Sequence, residues 1–250
     1  MTKKQVLIIL CQASFLIKSF CITPNELLTK IREKLPDLRD SSIGVIDSNG
    51  DYIKDNNKGL NCSGFAKWIV DGFYTPLCNN NEAKYMSIQK LRTKHLDERG
   101  TRDVLIHEDS RDPYFGLDWT RNLAVELGIK KGENPSYKTY DIIDSTISEY
   151  IMNCGYPLWK IEKVIIEQES LHPGRIYLGS VNGFFGENPI LWQHYHIAIF
   201  IPYYENGVLR IAVFERNKET SFDYLEERYP GTYCHLVWLS IEGDFELMDP

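Results

Sequence analysis

The chain has 250 residues, 43% of them hydrophobic and 25% charged, which suits one sizeable globular core. Its net charge is −7 and no basic stripe runs along it. Both facts argue against nucleic acid or anionic membrane surfaces as partners.

Lys3 and Lys4 precede an apolar run from Val6 to Ile17, with small residues at Ser19 and Cys21. That order reads as an export signal over residues 1–21, with an uncleaved N-terminal anchor or a buried first helix as the alternatives. The apolar run is short for a membrane span. A chain over 22–250, working in the periplasm, the cell envelope or outside the cell, is what remains. Thr23-Pro24-Asn25-Glu26 predicts a helix start: a hydroxyl cap, proline in the first turn, and glutamate three residues after the cap. Leu27, Leu28, Ile31 and Leu35 share one face, and Pro36 ends the run. Residues 40–57 are rich in Asp, Asn, Ser and Gly and predict a loop, with a short extended piece over 43–46.

A helix beginning at Cys62 follows. From Asn79 to about Leu158 the pattern is mostly helical and more charged, with helices expected over Glu82 to Asp97, Trp119 to Ile129 and Tyr140 to Asn153. Gly155 stands as a C-terminal stop. After Pro173-Gly174 the segments RIYLGSV, HYHIAIFI, VLRIAVFE and YCHLVWLSI are β-branched and aromatic, separated by turn signals. Helices first and then antiparallel strands predict an α+β fold, with the block over about 79–158 as a helical insertion. Beyond the export segment, four scattered cysteines remain: Cys62, Cys78, Cys154 and Cys234. No C-x-x-C pair occurs, so neither thiolate zinc nor any other cofactor is expected.

In LNCSGFAKWIVDG, residues 60–72, a cysteine opens the apolar run. A helix N-terminus carries partial positive charge and unpaired N–H groups. A thiol there ionises more readily and becomes nucleophilic near neutral pH. Phe65, Trp68 and Ile69 share the stripe of Cys62 and would fix the helix. Asn61, Ser63 and Gly64 are small or polar, and let a substrate carbonyl approach the local N–H groups. Taken alone, a cysteine on an apolar stripe is more often inert core.

A thiolate needs a base, and the base an orienting group. Residues 193–217 read as a β-hairpin around Asn206-Gly207, the favoured two-residue turn pair. Counting outward, Glu205 pairs with Val208, Ala198 with Glu215, and His196 with Asn217. His196, Glu215 and Asn217 then share a face, where they could satisfy one another. The alternatives are a core histidine and a solvated strand end. His194 and His196 also form an H-x-H pair, but no third and fourth metal ligand stands at good spacing, so no metal is expected.

These residues resemble a known group. Asn61-Cys62-Ser63-Gly64-Phe65 is similar to the D-C-S-G signature of the NlpC-type cell-wall cysteine peptidases. His196-Ile197-Ala198-Ile199 resembles the strand that carries their histidine, and Leu171 to Tyr177 the L-x-P-G-D strand before it. Glu215-Arg216-Asn217 resembles the E-x-N of the related CHAP amidases. The motifs occur in the family's order. Asn61 stands where the family has Asp, Arg175 where it has another Asp, and the spacing from Cys62 to His196 is longer.

The resemblance implies a papain-like fold, with N-terminal helices including the cysteine helix packed on an antiparallel sheet. It implies a secreted hydrolase of amide bonds in peptidoglycan peptides; a monomer is expected. Cys62 would be the nucleophile, His196 the base and then acid, Glu215 the orienting residue and Asn217 its alternate. In Tyr114 to Ala124, Asp118 is placed to cap a helix and Arg121 to grip a stem-peptide carboxylate, so both join Asn61 and Ser63 as expected substrate-binding residues. Two rivals stand beside this reading. One is a secreted effector or acyltransferase with another substrate; the other is an inactive envelope binding protein.

Overall fold

A computed structural model describes residues 22–40, 59–87, 113–143, 149–185 and 191–249. The expected export segment over 1–21, the extended piece over 43–46 and residues 88–97 of the helix expected over Glu82 to Asp97 lie outside them.

Helix α1 (Pro24–Lys34) starts as its sequence predicts. The Glu26 N–H donates to Thr23 Oγ1 at 3.2 Å, and the Thr23 N–H donates to Glu26 Oε2 at 2.8 Å. This reciprocal cap satisfies two donors that the helix itself cannot. Leu27, Leu28 and Ile31 are buried, and Asn25 Nδ2 ties the helix to the Tyr204 carbonyl. Strand β1 (Arg39–Asp40) pairs in parallel with β2 (Gly59–Leu60), which leads into α2 (Cys62–Tyr74).

Helix α2 is buried from Ser63 through Tyr74. Its two charged residues, Lys67 and Asp71, lie one turn apart and pair with each other inside the core. Asp71 Oδ1 also accepts the Met86 N–H at 3.0 Å. Removing one partner strands the other charge away from water. Asp71→Ala is therefore expected to cost about 3–5 kcal/mol of stability, seen as a lower denaturant midpoint. The double change Lys67→Met with Asp71→Leu should recover most of the loss. An Asp71→Ala midpoint equal to the parent's would show that the pair carries no such burden.

The stretch expected to be a helical block is different. Residues 79–87 form a turn against the end of α2, where Thr75 Oγ1 donates to the Lys84 carbonyl and Glu82 N–H to the Asn79 carbonyl. Helix α3 (Phe115–Lys130) contains the expected Trp119 to Ile129, but its residues 116–128 are all buried. It is a core helix, sharing one apolar cluster with α2 through Leu123, Ala124 and Leu127. At its start, a Cβ on Gly116 would lie 2.8 Å from the His194 carbonyl oxygen. Glycine is what lets α3 press onto the sheet.

Tyr140 to Asn153 is not helical at 140–143 or 149–153. The first part runs along a strand instead, with Trp238 N–H donating to the Tyr140 carbonyl and Ile142 N–H to Leu236. Tertiary pairing overrides the helical pattern there. Gly155 ends no helix; it adopts φ +87 in a turn before β3 (Tyr156–Pro157). Helix α4 (Ile161–Leu171), absent from the expected elements, buries Ile161, Val164 and Ile165.

The remaining strands are β4 (Arg175–Phe185), β5 (Leu191–Glu205), β6 (Val208–Glu215), β7 (Lys218–Thr220) and β8 (Tyr233–Ser240), with helix α5 (Phe222–Arg228) before the last. They form an antiparallel six-stranded sheet in the order β3-β8-β4-β5-β6-β7. The hairpin register is as counted from Asn206-Gly207: Glu205 faces Val208 and Ala198 faces Glu215. Side chains alternate across the sheet. Ile197, Ile199, Ile201 and Phe214 pack with α1, α2 and α3, whereas Ala198, Phe200 and Val213 pack with α4 and α5. The fold is α+β, with its N-terminal helices on one sheet face.

Candidate active site

Asn61 caps α2. Its Oδ1 accepts the Gly64 N–H at 2.7 Å and the Ser63 hydroxyl at 2.9 Å. Asn61 and Ser63, expected to bind substrate, instead build the helix start, and the Gly64 N–H is engaged with them. A helix start leaves first-turn N–H groups without an intrahelical partner, and Cys62 is the first residue of α2. Ser63 is buried, and its carbonyl accepts Trp119 Nε1 at 3.0 Å. Phe65 meets Phe214 with ring centroids 6.3 Å apart, and Trp68 Nε1 donates to the Met248 carbonyl at 2.8 Å. These contacts fix the helix, and Cys62 alone on it remains partly exposed.

His196 comes from β5 and Glu215 from the end of β6. His196 Nε2 stands 2.9 Å from Glu215 Oε2, off the straight line of a hydrogen bond, so the contact is chiefly a charge pair. The same imidazole hydrogen-bonds with the Cys62 thiol. Burial pushes the Cys62 thiol up, but hydrogen bonding and charge from His196, then the Ile197 N–H and the Arg216 guanidinium, outweigh it. The thiol lies below its ordinary value. Burial pushes His196 down, and Cys62 and Glu215 together lift it above the usual imidazole range. Burial raises Glu215, and His196, Arg228 and Lys218 bring it below the ordinary carboxylate range. Opposite charges at close range explain all three directions. Each shift favours the charged form of its group: thiolate, imidazolium and carboxylate.

Three residues that the sequence reading missed hold this row. Arg228 Nη1 donates to Glu215 Oε1 at 2.7 Å. The Tyr229 hydroxyl donates to Glu215 Oε2 at 3.4 Å, and its ring stacks on the His196 imidazole at 4.8 Å and 29°. Burial, then Glu215, pushes the Tyr229 phenol up, which keeps it a donor. Arg216 sits at φ +54 in the two-residue turn between Glu215 and Lys218. A non-glycine residue is strained there. Its Nη1 pairs with Asp40 Oδ2 at 2.6 Å, and its charge reaches Cys62. Arg228 ends α5 and Tyr229 follows it, with no local pattern to mark them. For Arg216 the one available sign was its place next to Glu215.

Other expected site residues lie elsewhere. Asn217 does not continue the strand to face His196: β6 stops at Glu215, the chain turns, and Asn217 Nδ2 donates to the Leu38 carbonyl at 3.2 Å. Asp118 is not a cap. Tyr114 holds that position, and Asp118 lies buried in the first turn of α3. Arg121 already grips a carboxylate, but an internal one. Its Nε and Nη2 donate to the two oxygens of Asp141 at 3.0 and 2.7 Å, and Nη2 also to Asn153 Oδ1. At 2% exposure it cannot meet a substrate.

The H-x-H pair is divided by a bulge in β5, where Val181 faces His196 but Asn182 faces His194. The extra residue re-aims the strand. His194 Nδ1 meets Ser180 Oγ at 2.9 Å, away from the Glu215 partnership. Among the described residues no three His, Cys, Asp or Glu side chains are grouped to hold a metal ion. Cys62, Cys78, Cys154 and Cys234 are all free thiols.

No family model, no curated protein and no solved structure matches the chain.

Proposed function

We propose that the chain is a papain-like cysteine hydrolase of amide bonds, allied to the NlpC-type peptidases and CHAP amidases. The observation that carries this is the convergence of Cys62, His196 and Glu215 from three separate elements, with each group's ionisation shifted toward the state that covalent catalysis needs. The Cys62 thiolate attacks the amide carbonyl carbon. The first N–H groups of α2 face the oxygen that gains charge. His196 gives its proton to the leaving nitrogen as the C–N bond breaks, leaving a thioester. Water then attacks the thioester with His196 taking its proton, and the thiolate departs. Glu215 holds the imidazole and balances its charge throughout.

Peptidoglycan peptides are the proposed substrate, carried by the motif resemblance. The proposed site of action is outside the cytoplasm, from the character of residues 1–21. No helix among the described residues is long and apolar enough to cross a membrane. The test is a digest of purified peptidoglycan by the chain beginning at Ile22, read by mass spectrometry against Cys62→Ser. New muropeptides missing from the control are expected. An unchanged digest with Cys62 still rapidly alkylated by iodoacetamide would move the substrate to a non-wall amide. Slow alkylation at pH 7 would remove Cys62 as nucleophile.

A further inference from the structure

Residues 38–40 join the two halves of the site. Strand β1 runs parallel to β2, with Asp40 opposite Leu60, two residues before Cys62. The same segment holds the turn that follows Glu215. Asp40 Oδ2 pairs with Arg216 Nη1 at 2.6 Å, and the Leu38 carbonyl accepts Asn217 Nδ2 at 3.2 Å. We infer that Arg216 is a positioning residue for the nucleophile: Asp40 holds its guanidinium at the site as a second, permanent cationic partner of the Cys62 thiolate. The inference rests on the proposed cysteine chemistry.

The backbone and the side chain both point to this use. Arg216 sits at φ +54, where glycine fits without strain and a larger residue persists only if its surroundings hold it. Asp40 does not exhaust the guanidinium. Arg216 Nε is buried with no hydrogen-bond partner among the described residues, and Arg216 borders the same cavity as His196. The neighbouring charges divide by what they address. Lys218 of β7 and Arg228 of α5 lie 3.7 and 2.7 Å from Glu215 Oε1, so they act on the carboxylate end of the row. Helix α3 offers the neutral Trp119 indole, which donates to the Ser63 carbonyl. At the sulfur end stand His196 and Arg216, and each favours the thiolate. The two cations differ in one respect. An imidazolium is lost as pH rises, whereas a guanidinium stays charged. Arg216 therefore supports the thiolate on the alkaline side, where His196 has become neutral.

Arg216→Gly separates charge from backbone, because it removes the guanidinium and suits the left-handed turn. Alkylation of the purified protein by iodoacetamide is followed against pH. The label is counted on the Cys62 peptide by mass spectrometry, since Cys78, Cys154 and Cys234 are also free thiols. The Cys62 midpoint should rise by about 0.5–1 pH unit in Arg216→Gly, less than an unscreened neighbouring charge gives. The reason is that the Arg216 side chain is 36% exposed, so Asp40 and water screen it. Arg216→Lys keeps the charge without easing the turn, and should return the midpoint most of the way to the parent's. In a His196→Ala background, Arg216→Gly should raise the midpoint again, because the guanidinium acts on the sulfur directly.

An unmoved midpoint in Arg216→Gly would overturn the inference while leaving the nucleophile standing. So would a rise that Arg216→Lys fails to reverse, which would assign Arg216 to the turn alone. A rise that vanishes in His196→Ala would also overturn it, since Arg216 would then act only through the imidazole. Slow alkylation of Cys62 at pH 7 in the parent protein would overturn the cysteine chemistry, and the inference with it.

Discussion

His196→Ala is expected to lower turnover by about 10²- to 10⁴-fold, the usual worth of a positioned acid–base group. The loss has two sources that separate experimentally. Without the imidazole the leaving nitrogen has no proton donor, which slows bond cleavage. The Cys62 thiol also loses its principal stabilising partner, while the burial that raises it remains. Iodoacetamide alkylation needs only the thiolate, so its rate at neutral pH should fall and its pH midpoint should move up. A merely structural defect would change turnover without that movement. If the alkylation curve of His196→Ala superimposes on the parent's, His196 does not face the thiol. His194→Ala is the matched control: its imidazole is engaged with Ser180, and the Cys62 curve should stay where it is.

The heart of this site was legible because a two-residue turn fixes register. Once Asn206-Gly207 closes the hairpin, Ala198 must face Glu215, and a slip of one residue would turn every side chain to the other face. The cysteine was legible from the abrupt start of an apolar helix. The count failed one pair further on. Nothing between Glu215 and Lys218 is glycine, yet the chain turns at Arg216 with φ +54, at a residue type that disfavours it. Asn217 was therefore assigned to a strand that had already ended.

Arg121 failed for another reason. A charged residue on an amphipathic helix is ordinarily at the surface, but α3 is enclosed on all sides, so its charges need internal partners. Asp141 lies twenty residues on, and the chain brings it there by pairing residues 140–142 with β8. Such long-range closure leaves no local trace. Tyr229 and Arg228 belong to the same category: they matter because α5 returns the chain to Glu215, and a motif scan reads no folding-back.

Glu215→Gln is expected to narrow the pH range of activity from its alkaline side. In the parent, the reactive state needs a thiolate and an imidazolium together. The thiolate exists above the lowered Cys62 value and the imidazolium persists up to the raised His196 value. The acid limb of a bell-shaped profile thus belongs to gaining the thiolate and the alkaline limb to losing the imidazolium, as properties of the pair. Glutamine keeps the shape of Glu215 but removes one of the two charges that lift His196, and leaves Arg228 without its Glu215 counter-ion. Both changes disfavour the imidazolium. The alkaline limb should move down by about one to three pH units, the range an opposite charge at this distance gives. With less imidazolium to stabilise the thiolate, the acid limb moves up, and the two limbs converge. Asn217→Ala removes only a hydrogen bond to the Leu38 carbonyl and should leave both limbs in place. Profiles of kcat/KM against pH for the two variants assign the orienting role: an unmoved alkaline limb in Glu215→Gln would remove it from Glu215, and a moved one in Asn217→Ala would return it to the residue that the strand count first placed beside His196.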